Sequence, residues 1–260
     1  MSRLSFNLRP RYFTVALLFV LVAYATWASL APRVKAELNW RELQARKVLR
    51  VGIDPGIQPF SFYDASGWNG FDADLARELS SRLNLQLQSD PVGYDAMYDA
   101  LQTKRVDIVI SAVSPDPNHT ADFAFSQAYF DAGPRVVSAS TIKTVQDLAD
   151  KRVAVSLGTE ADRLVRFWER RTPNLQRLPL ADDAAALAAL LSGEADVAVV
   201  SVFALASNSA AHWQVTSLSP RPYVIALRRE DQRLLSEINI ALGLLEQDGT
   251  LAKLQQKWIK

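Results

Sequence analysis

The chain has 260 residues, 49% of them apolar and 22% charged, an ordinary composition for a soluble globular protein and enough length for a large core. Its formal charge of +1 conceals an uneven split: residues 1–36 carry Arg3, Arg9, Arg11, Arg33 and Lys35 and no acid, which leaves 24 basic against 28 acidic residues in the body, a net of −4. A mildly acidic body excludes nucleic acid as an expected partner, and the absence of cysteine excludes a disulfide framework, a thiol nucleophile, a thiolate metal site and a lipidated-cysteine tether.

No charge lies between Arg11 and Arg33, and residues 12–31 are almost entirely apolar. Arginines before such a run mark an export segment. Val34-Lys35-Ala36 and Thr26-Trp27-Ala28 both have small residues at cleavage spacing, yet the run is close to the ~20 residues of a membrane span. For residues 1–36 a cleaved signal peptide and an N-terminal transmembrane anchor therefore both stand open. Either one places the body outside the cytoplasm, in the periplasm or on the extracellular face of the membrane.

Residues 48–54 (Val-Leu-Arg-Val-Gly-Ile-Asp) read as a strand ending in an acid, followed by Pro59-Phe60-Ser61-Phe62. Residues 70–83 then open a helix: Gly70 ends a turn, Asp72 is placed to cap the first amides, Asp74 sits at the positive end of the dipole, and Phe71, Leu75, Leu79 and Leu83 form an apolar stripe. A strand at 85–87, a helix at 95–103 and a strand at 106–110 running into Ser111-Ala112-Val113-Ser114 follow. The second half repeats this grammar, with strands at 151–155, 175–178 and 197–200 and helices at 160–171 and 182–191. Setting Asp107 over Asp196 aligns Leu101 with Leu190 and Ile110 with Val199. Helices at 232–246 and 250–258 close the chain. Strands alternating with helices argue for an α/β class with parallel sheets.

The order of these elements and the motifs at 48–54, 59–62, 70–83 and 106–114 resemble the bacterial extracellular solute-binding proteins of family 3, the receptors of polar amino acid ABC importers, from about Lys47 to Lys260. The resemblance implies a two-lobed periplasmic-binding-protein fold of type II, the Venus flytrap, with a hinge of two crossover segments near 135–140 and 220–226. The expected division is 37–138 plus 224–260 for the first lobe and 139–223 for the second. It also implies a small polar solute, a membrane permease as partner, a monomer, no cofactor, no metal and no enzymatic activity.

Ligands in open α/β sheets bind beyond the carboxyl ends of the strands. That rule collects Asp54 as a cation anchor, Phe60 as an apolar wall or a packing residue, the hydroxyls of Ser111 and Ser114, and Gly158-Thr159, whose helix-opening amides suit a carboxylate. The family holds its amino acid between an arginine and an aspartate. Aligned by the runs 114–120 and 196–201, those positions are His119 and Ser201 here, so common α-amino acids are expected to bind weakly. A sensory or accessory binding domain, and a dehydratase on the same fold with Glu160 as acid, are the competing readings. The export reading has a direct check: residues 1–36 fused to a reporter active only outside the cytoplasm should give signal, and a silent reporter refutes it.

Overall fold

The computed structural model describes residues 10–206 and 213–259. Arg3, Arg9 and the side chains before Phe19 in the expected export segment lie outside the described residues. The chain starts with a 37-residue helix, Pro10–Arg46. From Phe19 onward this helix exposes apolar side chains such as Val20, Tyr24 and Trp27. Among the described residues no helix is long and apolar enough to cross a membrane. The transmembrane option therefore finds no support there. The last turns dock on the body: Ala36 and Leu43 are buried, and Trp40 packs on the first core.

Two sheets follow. In the first, the strands run in the order Gln86–Pro91, Val48–Ile53, Ile108–Val113, Pro222–Arg228, Phe123–Phe125. In the second, the order is Gln176–Leu180, Arg152–Ser156, Val197–Val200, Arg135–Ser138, Gln214–Thr216. Each has three parallel strands followed by an antiparallel one. Strands covered on both faces read as continuous apolar runs, as Ile108–Val113 and Val197–Val200 do; both are buried throughout.

The repeat noticed around Asp107 and Asp196 is one strut built twice. In the first lobe Arg50 donates its backbone N–H to Asp107 Oδ2 (2.9 Å) and its Nη2 to Oδ1 (2.8 Å). In the second, Arg152 does the same to Asp196 at 2.8 and 2.9 Å. Each aspartate returns a backbone N–H to its arginine's carbonyl. The two copies differ in surroundings. Asp107 is 4% exposed and also takes Arg46 Nη2 of the N-terminal helix at 2.6 Å, whereas Asp196 is 36% exposed.

The helix Phe71–Arg82 begins after Gly70, whose φ of 110° and whose distance of 2.2 Å from a would-be Cβ to the Phe60 carbonyl oxygen both require glycine. Its first amides donate to the carbonyls of Pro59 (3.1 Å) and Phe60 (2.8 Å). Asp72 is thus not the cap expected of it, because backbone carbonyls already fill that role. Asp74 ties this helix to the end of the chain, accepting from Lys257 Nζ and Trp258 Nε1, both at 2.7 Å. Other boundaries shift slightly. The strand expected at 85–87 runs Gln86–Pro91, and the helix expected at 95–103 is a 3-10 turn, Tyr94–Ala96, followed by Met97–Gln102.

The chain passes between the sheets twice, at residues 132–134 and 217–221. The strand Arg135–Ser138, given to the first lobe by the sequence reading, pairs with Val197–Val200 in the second sheet, because the break at Gly133-Pro134 comes before it. Pro222 and Tyr223 already pair with the first-lobe strand Phe130–Asp131. The two crossovers touch. A Cβ on Gly133 would meet the Ser219 carbonyl oxygen at 2.3 Å, and Asp131 Oδ1 accepts from both Gly133 N (2.9 Å) and Arg221 N (2.7 Å).

Breaking a buried ion pair by removing one partner costs ~3–5 kcal/mol, and an exposed one ~0–1 kcal/mol. Asp107→Ala is therefore expected to lower unfolding free energy in urea by about 3 kcal/mol and Asp196→Ala by about 1 kcal/mol. Equal losses would show that burial does not distinguish the two struts.

Candidate functional site

Beneath the crossovers lies a cleft made of two cavities of about 540 and 240 Å³ that share Glu160, Arg221 and Tyr223 as walls. The larger is closed by Ile57, Tyr94, Ala112 and Ser114 of the first lobe, the smaller by Thr159, Asp183, Ser201 and Phe203 of the second. Of the residues expected from the sequence, Ser114, Thr159 and Ser201 line this cleft.

The others have different employment. Asp54 spends its carboxylate on the backbone amides of Gly56 and Tyr94, both at 2.8 Å, which shapes the loop between strand and helix. Ser111 is buried and accepts from Asp54 N at 3.0 Å, so its hydroxyl serves the end of the neighbouring strand Val48–Ile53. Phe60 is 2% exposed and stands among Phe71, Phe130, Tyr223 and Phe203, with centroids 5.1–6.1 Å away. It is a packing residue, and because Phe203 follows a second-lobe strand, the aromatic cluster joins the lobes. His119 is not among the cleft walls. Its ring stacks on Tyr98 at 4.1 Å and its Nδ1 pairs with Asp116 Oδ2 at 2.8 Å. The Gly158 amide, expected to face an anion, donates to Asp162 Oδ2 at 3.0 Å. Asp162 in turn takes Arg166 and Arg177.

Sequence reasoning passed over two charged walls, Arg221 and Asp183. Arg221 projects from the second crossover and donates Nη1 to Glu160 Oε2 at 2.7 Å. Asp183, first residue of the helix Asp183–Leu191, accepts from Ser201 N at 2.9 Å through Oδ2, while its Oδ1 is buried with no hydrogen-bond partner among the described residues. The signal was present but local: Arg221-Pro222-Tyr223 read as a hinge and Asp183 as part of the helix 182–191.

Behind the cleft wall Asp72 is wholly buried. Its Oδ2 accepts from Ala112 N at 2.7 Å and its Oδ1 from Tyr129 Oη at 2.8 Å. Ala112 has a φ of 47°, an unfavourable left-handed conformation for a residue with a Cβ, and the carboxylate holds it there. Burial pushes the Asp72 carboxyl up to about 7, against the lowering pull of the two hydrogen bonds.

These features describe a bilobal receptor rather than an open sheet, and comparison with known proteins agrees. The profile of the bacterial extracellular solute-binding proteins, family 3, matches residues 49–260. The chain belongs to this family. It is similar to the L-cystine-binding protein of Escherichia coli K12, at 30% identity over 230 residues and 84% of each chain. It is also similar to the solved structure of an ancestral cationic amino acid solute-binding protein, at 33% identity with a TM-score of 0.55, covering 85% of this chain and 99% of that one. The L-cystine solute receptor of Neisseria gonorrhoeae shares the fold, with a TM-score of 0.65 at 21% identity, over 84% of this chain and 95% of that one. This family member has the bilobal frame of these structures.

A carboxyl whose folded pKa lies above its unfolded value of about 3.8 gives stability that is complete below pH ~4 and is lost as pH rises through about 7. The loss is on the order of 4 kcal/mol. Asn can keep both partners, accepting from Ala112 N and donating to Tyr129 Oη. Asp72→Asn should thus lack this decline, measured by urea unfolding at pH 5 and pH 8. A variant that declines as steeply as the natural protein would show that Asp72 is not the titrating group.

Proposed function

We propose that the protein is an extracytoplasmic receptor that closes its two lobes on an amino-acid-like or other small polar solute and presents it to the membrane permease of an ABC importer. One observation carries this reading: the cleft draws its walls from both lobes beneath a hinge of two crossovers, so neither lobe holds the whole site. Joining half-sites by closure couples binding to a change of shape. The names of the relatives support the transport setting, among them a probable amino-acid ABC transporter-binding protein of Haemophilus influenzae, 27% identical over 95% of each chain. The basic, apolar start of the sequence fits a body that works outside the cytoplasm.

A dehydratase on this fold would need Glu160 as a proton donor, and Glu160 Oε2 instead accepts from Arg221. The receptor works without a cofactor and as a monomer, and the acidic body has no nucleic acid partner. A sensory role would use the same closure and differ only in its membrane partner.

Mass spectrometry of the denatured full-length protein identifies the solute it carries. Returning that solute to stripped, refolded protein should lower the radius of gyration in small-angle scattering. An unchanged radius at saturation overturns closure.

A further inference from the structure

Resting on the receptor reading, we infer that the cleft takes a zwitterionic amino acid through two anchors of its own, Arg221 for the carboxylate and Asp183 for the ammonium. Three formal charges line the cavities: Arg221, Glu160 and Asp183. They are unequally engaged. A guanidinium has five N–H groups, and Arg221 spends one side-chain N–H on Glu160, at 2.7 Å. The rest of the fork is left for a planar carboxylate, which it fits in bidentate fashion.

Asp183 is the complementary case. One carboxylate oxygen is fixed by the Ser201 amide, and the other is buried in the cavity wall with no partner among the described residues. A buried acceptor without a donor is costly in an empty site and favourable once a charged donor arrives. The carboxylate missing at position 201 is thereby restored from the neighbouring helix, 2.9 Å from the Ser201 backbone. The cation missing at His119, which stacks on Tyr98 outside the cleft, is restored from the hinge. Tyr94, Ile57 and Tyr223 provide an apolar and aromatic wall for the rest of the molecule. Amino acids therefore bind with an axis running from hinge to second lobe, contrary to the weak binding that positions 119 and 201 alone suggest.

Calorimetry of the full-length protein against the twenty common L-amino acids and L-cystine tests this. At least one should bind, and its des-amino acid and its methyl ester should each bind about ten- to a hundredfold more weakly. Asp183→Asn keeps an acceptor for the Ser201 amide and should weaken the amino acid by a similar factor while sparing its des-amino acid. Arg221→Gln should weaken the amino acid and spare its methyl ester. His119→Ala should change nothing. Full affinity in Asp183→Asn, or a des-amino acid that binds as tightly as the amino acid, overturns the assignment. So does the failure of every amino acid to bind, and in that case the scattering experiment still judges the receptor reading on whatever solute co-purifies.

Discussion

Where the chain crosses between its sheets, two backbones pass so close at Gly133 that no side chain fits between them, and Asp131 fastens one to the other. This contact fixes how the lobes face each other. The Asp131 carboxyl is partly buried, which would raise its pKa, but the amides of Arg221 and Gly133 and the charge of Arg135 draw it below the usual carboxylate range. It is therefore a charged clamp at ordinary pH, and it grips the residue whose side chain reaches the cleft. The backbone of Arg221 belongs to the hinge and its guanidinium to the site, so lobe geometry and cleft charge are set by one residue. Tyr129, whose hydroxyl reaches Asp72, donates its backbone N–H to the Tyr223 carbonyl two residues further on. The hinge strand, the buried carboxyl and the strained Ala112 thus form one connected support.

Much of the frame could be read from the sequence because its determinants are periodic or close in the chain. Alternating strands and helices, the weak internal repeat and the Gly70 motif each involve residues within one supersecondary unit. Even the match of Asp107 to Asp196 proved to mark one physical device, an aspartate receiving an arginine of the neighbouring strand through backbone and side chain alike. Boundaries were blurrier where a tertiary contact intervenes. The helix expected from Asp95 begins as a 3-10 turn because Asp54, forty residues earlier, captures the Tyr94 amide.

The site was less legible, for a definite reason. Aligning runs of residues assigns roles by column, whereas a cleft assigns them by direction in space. His119 was expected as an anchor, yet Tyr98 offers its ring a flat partner and Asp116 a hydrogen bond, and it lies with them. Gly158 was expected to face an anion, yet Asp162 four residues on satisfies its amide. Conversely Arg221 and Asp183 carry no motif, and only the fold brings a crossover and a helix start to the same cavity. Phe60 shows the milder form of this difficulty, since an aromatic at a strand end looks the same in sequence whether it faces a ligand or another ring.

The ring of Phe203 resting on Phe60 also sets a thermodynamic cost on parting the lobes. Any motion that withdraws this second-lobe ring from the first-lobe cluster wets apolar surface at roughly 25 cal/mol per Å². Each 40 Å² so exposed amounts to about 1 kcal/mol, or about a fivefold shift in the ratio of shut to open forms. An arrangement that keeps this contact is thus favoured without help from a solute, and where it is the one that binds, intrinsic affinity is divided less severely by the fraction of molecules able to bind tightly. The same adhesion acts after delivery, since a receptor that shuts too readily when vacant is slow to admit the next solute. Smoothing or enlarging that one ring contact is a way for the lineage to tune occupancy without touching any group that recognises the cargo.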